Sequence, residues 1–316
     1  MNKNNLYGVR IDTLAGKLRC IGFAGFIALV ACSAHAQEGA VIHSEMLNQT
    51  NHWITTVSLD YSYVGAGSIS FQGLKGNSDA QTRNADLGLD IPLNDHWSAS
   101  LGISFQDVLL GTVTDAPIPE RIDTMNFDAG LGYRLNDRWS FAGSIGPQLY
   151  RLDGIDGSDI GIGGAVNATW KWKPNLTLVA GVAFDPANKF PVLPDAGLRW
   201  DIRTNLILNL MFPKPALIYR VNSRLALGVG ASADFDVFRA DQNLGDKIGQ
   251  PSFDNALGTY QDFHIGAGAY YRLWRQLSIG IEGGYSAGRE IDYSQINQTV
   301  KFNSSPFVQI ALKWRF

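Results

Sequence analysis

The chain has 316 residues, with 34 Gly and a rich aromatic content of 8 Trp, 11 Tyr and 16 Phe. Lys+Arg 26 against Asp+Glu 29 gives a formal net charge of −3, which leaves no basic footprint for nucleic acid. The only two cysteines, Cys20 and Cys32, lie near the N-terminus, so the rest of the chain forms no disulfide and relies on strand pairing and burial.

Residues 1–36 read as a signal peptide. Lys3, Arg10, Lys17 and Arg19 form a basic start, and 21–30 is apolar but too short to cross a bilayer as a helix. Ala34-His35-Ala36 then supplies a small-x-small cleavage site. Leu29-Val30-Ala31-Cys32 also fits a lipobox, which makes a lipidated Cys32 the alternative to cleavage after Ala36. The polar stretch 37–52 is a short periplasmic lead, and 53–316 is one domain.

Fourteen strands are predicted over that domain: 53–64, 83–93, 97–109, 124–135, 139–151, 159–172, 176–185, 195–202, 206–212, 216–221, 225–238, 259–272, 277–287 and 306–316. The strands 83–93, 124–135, 225–238, 277–287 and 306–316 alternate with a period of two, the signature of a strand with one apolar and one polar face. In 124–135, Met125, Phe127, Ala129, Leu131 and Tyr133 oppose Asn126, Asp128, Gly130, Gly132 and Arg134. In 225–238, Leu225, Leu227, Val229 and Phe235 oppose Gly228, Gly230, Asp234 and Asp236. Trp97, Trp139, Trp172, Trp200 and Trp314 all fall on the apolar face near one end of their strands, where an interfacial girdle belongs.

Two kinds of connection alternate. Tight ones fall at 93–96, 135–138, 173–175, 203–205, 222–224 and 273–276, and all but the last carry Asn, Asp or Pro. Longer ones occupy 65–82, 110–123, 152–158, 186–194, 239–258 and 288–305. Short periplasmic turns and long outer loops are the asymmetry of an outer-membrane barrel. Leu-Asn-Asp-His-Trp-Ser at 93–98 recurs as Leu-Asn-Asp-Arg-Trp-Ser at 135–140, best read as a shared turn solution rather than a duplication. The segments 206–212 and 216–221 are short for a span and are joined through Pro213 and Pro215, so a twelve-stranded ring is the alternative count.

The final strand closes on Val308, Ile310, Leu312, Trp314 and Phe316 at alternate positions. This pattern resembles the closing strand of bacterial outer-membrane barrels, where Trp314 and Phe316 would belong to the signal read by the barrel-assembly machinery. Pro194-Asp195-Ala196-Gly197-Leu198-Arg199-Trp200-Asp201, Leu210-Met211-Phe212-Pro213 and Tyr219-Arg220-Val221-Asn222 resemble an uncharacterised bacterial family, a domain of unknown function that forms an outer-membrane β-barrel. The resemblance implies fold and location and carries over no functional residue.

The polar face holds the candidates for function. Asp60, Asp86, Asp128, Asp234, Asp236, Asp262, His264 and Glu282 are expected in mid-strand or toward the outer end, and Arg134, Lys171, Arg272, Lys313 and Arg315 toward the turns. Charges lining a water-filled barrel set ion preference. His264 with Asp262, Ser278, Ser286 and Glu282 also raises a hydrolytic triad, but its phase points away from lipid. Asp153, Asp156 and Asp159, at a spacing of three, make an oxygen-rich loop of the kind calcium favours, against which a solvated turn is preferred because the spacing is not that of an EF-hand and no bidentate Glu follows. No cofactor motif is present. The expectation is an all-β, antiparallel transmembrane barrel in the bacterial outer membrane, surrounded by lipid. Its expected role is a pore for small ions or solutes with a mildly cation-preferring lumen. A closed structural or surface-interaction barrel is the alternative, and an outer-membrane hydrolase a lesser one.

Overall fold

The computed structural model describes residues 52–316, so the signal peptide, Cys32 and most of the periplasmic lead lie outside the described residues. The first eight strands are β1 (Ile54–Ser70), β2 (Asn77–Pro92), β3 (Trp97–Leu110), β4 (Arg121–Arg134), β5 (Trp139–Leu149), β6 (Ile160–Lys173), β7 (Leu176–Phe184) and β8 (Val192–Arg203). The others are β9 (Leu206–Asn209), β10 (Ala216–Arg220), β11 (Leu225–Arg239), β12 (Leu257–Arg272), β13 (Leu277–Ser286), β14 (Arg289–Tyr293), β15 (Gln298–Phe302) and β16 (Ser305–Arg315). β1 to β13 and β16 pair in order as a closed antiparallel ring of fourteen strands. β16 completes it by pairing with β13 and with β1, from Thr56↔Arg315 to Val64↔Phe307. Closure pairs every strand of the ring on both sides over at least part of its length, as crossing lipid with strands requires.

The twelve-strand alternative is therefore excluded. β9 and β10 are only 4 and 5 residues long, yet they pair with each other and with β8 and β11. Their prolines need no donor: Pro213 and Pro215 accept through their carbonyls from Ala233 N at 3.2 Å and Ala231 N at 2.9 Å. The bond between Phe212 and Pro213 is cis.

Two predicted loops are largely strand. β1 continues to Ser70 through a bulge between Val64 and Gly67, and β2 begins at Asn77, so 65–82 shrinks to 71–76. The segment 288–305 contains the β14–β15 hairpin. β14 joins β12 at Thr259–Gln261 and β15 joins β1 at Ile69–Ser70, which extends the wall above the shorter β13 and β16. Outside lipid neither strand face must be apolar, so hydropathy alternation no longer marks the strand.

The predicted phase holds around the ring. Outward residues are apolar and exposed, among them Leu101 (53 %), Ile281 (53 %) and Ile310 (45 %), and the five girdle tryptophans are 37–53 % exposed. At the other end of the band, Arg83 and Arg121 pair with Asp107 on the outward faces of β2, β4 and β3. Ten residues of β3 separate Trp97 from Asp107, or about 25 Å along the membrane normal at a rise of ~3.3 Å and a tilt of ~40°. That matches the apolar height of an outer-membrane barrel, roughly 25 Å.

The tight turns share one device. Asn94 Oδ1 accepts from the backbone of His96 and Trp97 at 2.8 and 2.9 Å, and Asn136 does the same for Arg138 and Trp139. Asn222 repeats it with Arg224 and Leu225, without the surrounding motif. The Leu-Asn-Asp repeat is thus an Asx turn used three times, not a duplicated unit.

The outer mouth is packed shut on an apolar cluster. Inward side chains at the strand tops, including Val64, Val108 and Ile122, meet Ile291 and Val300 of the β14–β15 hairpin and Leu244 and Phe253 of the β11–β12 connection. Phe253 and Val300 are 0 % exposed. Tyr293, also buried, donates to Pro117 O at 3.0 Å and binds the β3–β4 connection into the same cap.

Candidate functional site

Strand alternation and the ring's curvature send one residue in two into the lumen. Beneath the apolar cap those residues are polar, and they surround a cavity of about 1190 Å³ that is open to solvent. Asp60, Asp234, Asp236, Asp262 and His264 line it, with Asn84, Gln106 and Gln309 among the neutral groups. A second space of about 470 Å³, lined by Lys214, Tyr270 and Glu282, adjoins it at Gln309.

The register sets the acidic cluster. Asp234 and Asp262 are direct cross-strand partners on β11 and β12 and face each other inside the barrel. Like charges directly opposite destabilise a sheet unless something lies between them. His264 lies there: its Nδ1 is 3.9 Å from Asp234 Oδ2 and its Nε2 3.1 Å from Asp262 Oδ2. The Nε2 contact is short but off the line of a hydrogen bond. The ring also stacks on Phe307, centroids 4.4 Å apart, which fixes its plane. Asp236 accepts from Gln106 Nε2 at 2.9 Å across the lumen, tying β11 to β3. Asp60, only 6 % exposed, turns into the cavity two carboxylate oxygens that accept no hydrogen bond.

The predicted residues separate into three groups. Asp234, Asp236, Asp262 and His264 converge on the larger cavity. Glu282 faces the smaller one, where Tyr270 donates to it at 3.2 Å. Asp86, opposite Ser58 and Ser104, and Asp128, opposite Gly102, stand on the lumenal wall outside the lining of both spaces. The basic groups do lie toward the turns, and Arg134 is committed there, its Nε donating to Asp95 O at 3.1 Å. Trp314 and Phe316 sit outward at the end of β16, 49 % and 51 % exposed.

Two readings of the motifs need correction. Ser286 donates to Asp262 Oδ1 at 2.6 Å, and His264 approaches the other oxygen of the same carboxylate. The acid thus stands between serine and imidazole, whereas a triad places the imidazole between serine and acid. The turn 153–159 is not simply solvated. Asp159 is 0 % exposed and is held by Arg151 at 2.9 Å and Arg239 at 3.0 Å. Asp156 caps the short 3-10 turn Gly157–Asp159, accepting from the Ser158 hydroxyl and amide, which hold its carboxyl below the ordinary aspartate range. The calcium alternative fails with it, since Asp159 is spent on two arginines.

Sequence reasoning missed the aromatic side of the site. Phe190, Phe212, Phe235 and Phe263 come from four elements, with ring centroids 5.7–6.3 Å from Phe235. Phe190 and Phe212 each precede a proline, Pro191 and Pro213, which was the available signal.

A closed ring with an apolar outer band, an aromatic girdle and a polar lumen defines an outer-membrane-type β-barrel. Residues 49–315 match the model of a domain of unknown function, DUF6268, and the chain belongs to that family. No curated relative matches the chain. Among solved structures it is similar to an outer membrane channel from Pseudomonas putida F1, at 11 % identity and TM-score 0.43 over 83 % of this chain and 95 % of that one. It is also similar to the P. putida toluene transporter TodX, at 10 % identity and TM-score 0.41 over 86 % and 91 %. The porin NanC is similar at 11 % identity and TM-score 0.35 over 81 % and 98 %.

Proposed function

We propose that the protein is a bacterial outer-membrane channel for small solutes that carry a positive charge. The observation that carries this reading is Asp60, whose buried carboxylate opens into a lumenal cavity together with Asp234, Asp236 and Asp262. A buried carboxylate short of well-formed hydrogen bonds is costly, and a passing cation would relieve part of that cost. Anions would meet three further carboxylates in the same space. The lumen geometry gives no support to hydrolysis, because Asp262 occupies the position between Ser286 and His264.

The closed structural barrel stands as a second reading, favoured by the apolar cap at the outer mouth. Uptake into proteoliposomes separates the two. The channel reading expects benzyltrimethylammonium to enter at least threefold faster than benzenesulfonate, a similar ring with the opposite charge. Equal rates for the two ions would remove the cation preference. No uptake of either by correctly folded barrel would leave the structural reading.

A further inference from the structure

We propose that solute enters the lumen sideways from the outer leaflet, through a breach in the wall between β8 and β11, and that it is an amphiphile with a cationic head on an apolar body. This rests on the channel reading above.

The breach follows from the shortness of β9 and β10. On the β8 side, the hydrogen bonds to the intervening hairpin end with Phe212 N to Ala196 O at 3.4 Å. On the β11 side they end with Ala233 N to Pro213 O at 3.2 Å. Higher up, the next backbone bond on that edge of β11 is Arg239 N to Tyr150 O at 2.9 Å, made to the β5–β6 connection and not to β8. The top of β11 therefore leans into the lumen, as its Gln106–Asp236 contact with β3 also requires. A gap remains between it and β8 above the hairpin. Gly197 marks how tightly the hairpin is drawn down, since a Cβ there would overlap the Leu210 carbonyl oxygen.

The larger cavity reaches into this gap. Its lining includes five consecutive residues of β11, Ala233 to Val237, hence both faces of the strand. A space confined to the lumen would touch only alternate ones. Phe190, Leu193 and Pro213 complete the lining on the β8 side. Phe190 meets Phe235 edge-on at 6.3 Å across the gap. The β7–β8 connection spans the top of the gap, with Lys189 N donating to Thr259 Oγ1 on β12 at 3.2 Å and Ala187 packing near Val237, so the breach lies below it at the level of the two rings.

The gap lies at membrane depth. Val192, the first residue of β8, is 62 % exposed, Phe190 is 45 % and Phe263 is 40 %. Trp200 of the girdle is eight residues from Val192, or about 20 Å along the normal at a rise of ~3.3 Å and a tilt of ~40°. Lys189, bound to Glu290 and Asp292 at 2.9 Å each, marks the polar boundary just above Phe190. A molecule in the outer leaflet would thus meet aromatic rings first and the carboxylates of Asp234, Asp236 and Asp262 next. Phenyl faces accept an apolar chain or a quaternary ammonium, and the carboxylates hold a cationic head. The apolar cap blocks the axial way in, so the side is the remaining access from outside.

The test uses full-length protein with Cys20→Ser and Cys32→Ser and the added pair Phe190→Cys and Phe235→Cys. A bifunctional methanethiosulfonate bridges the breach, with linkage confirmed by mass and folding by heat-modifiable gel mobility. Uptake of benzyltrimethylammonium into proteoliposomes is expected to fall at least tenfold on cross-linking and to return on reduction. Before linking, it should exceed uptake of choline, which has the charge without the ring. Leu193→Trp, which fills the breach without thiols, should lower uptake in the same direction. Unchanged uptake in the linked barrel and in Leu193→Trp would overturn the lateral route while leaving the channel. No uptake by the unlinked barrel would overturn the channel reading, and this inference with it.

Discussion

Thr55 and Phe316 exchange two backbone hydrogen bonds, Thr55 N to Phe316 O at 2.8 Å and Phe316 N to Thr55 O at 3.0 Å. The last residue of the chain thus closes the ring against the second residue of its first strand. Its ring lies outward, packed edge-on against Trp314 at 5.3 Å, within the girdle. Deleting Phe316 removes both bonds and the aromatic end. Phe316→Asp keeps the backbone but places a charge on the lipid face. Both variants are expected to lose outer-membrane insertion, measured by membrane fractionation and heat-modifiable mobility. If only the deletion fails, backbone closure is what matters and the side chain carries no assembly signal.

Asp159 is the one acid that holds Arg151 and Arg239 together, and it has no access to water. Asp159→Asn keeps the shape, takes from Arg239 its carboxylate partner and leaves Arg151 only the exposed Asp156 at 4.0 Å. Breaking a buried pair by removing one partner costs roughly 3–5 kcal/mol. The loss should appear in the outer connections, because Arg239 also donates to Asn255 O and so ties in the β11–β12 loop. Limited proteolysis of folded barrel is expected to cut 240–256 much faster in the variant, with the transmembrane strands still protected. Unchanged cleavage would show that these charges carry no mechanical role.

How far the sequence could be read follows from where lipid acts on it. Within the apolar band each outward residue must be apolar, so Leu225, Leu227 and Val229 announce β11, and the inward phase of Asp234, Asp236, Asp262, His264 and Glu282 comes with the same alternation. Above the band that constraint vanishes. The upper parts of β1 and β2 and the whole of β14 and β15 were invisible for this reason, although they are as regular in hydrogen bonding as the rest. The convergence of Asp234, Asp236 and Asp262 on one cavity, with Asp86 and Asp128 left outside it, depends on the inward lean of β11. That lean comes from the missing length of β9 and β10. Alternation states which face a residue takes and not how far the strand departs from the ring.

Asp241 and Asn255 stand at the two ends of the cap loop, and Asn255 N donates to Asp241 O at 3.2 Å. Residues 242–254 can therefore be excised and the ends joined by a short Gly-Ser link without displacing β11 or β12. The excision removes Leu244 and Phe253 from the apolar cluster. In a planar bilayer the intact barrel is expected to show small or no ion steps, since its axial mouth is packed. The excised barrel should show larger, steady steps with a cation-preferring reversal potential under a salt gradient. Equal conductance before and after excision would mean that the cap does not govern the axial path.

Asp234 and Asp236 offer the sharpest separation among the acidic candidates, because they line the cavity while Asp86 and Asp128 do not. Replacing both with Asn keeps size and hydrogen-bonding capacity while removing two negative charges from the space a solute would cross. Charge selection inside a narrow lumen depends on groups near the path and weakens with screening and distance. The Asp234→Asn, Asp236→Asn pair is thus expected to lower the uptake ratio of benzyltrimethylammonium to benzenesulfonate several-fold. The Asp86→Asn, Asp128→Asn pair, with the same change in net charge, should leave the ratio within about a factor of two of the unaltered protein, given that distance dependence. If both pairs lower it equally, preference arises from the overall lumenal charge. The cavity beneath the cap would then lose its claim to be the selecting element.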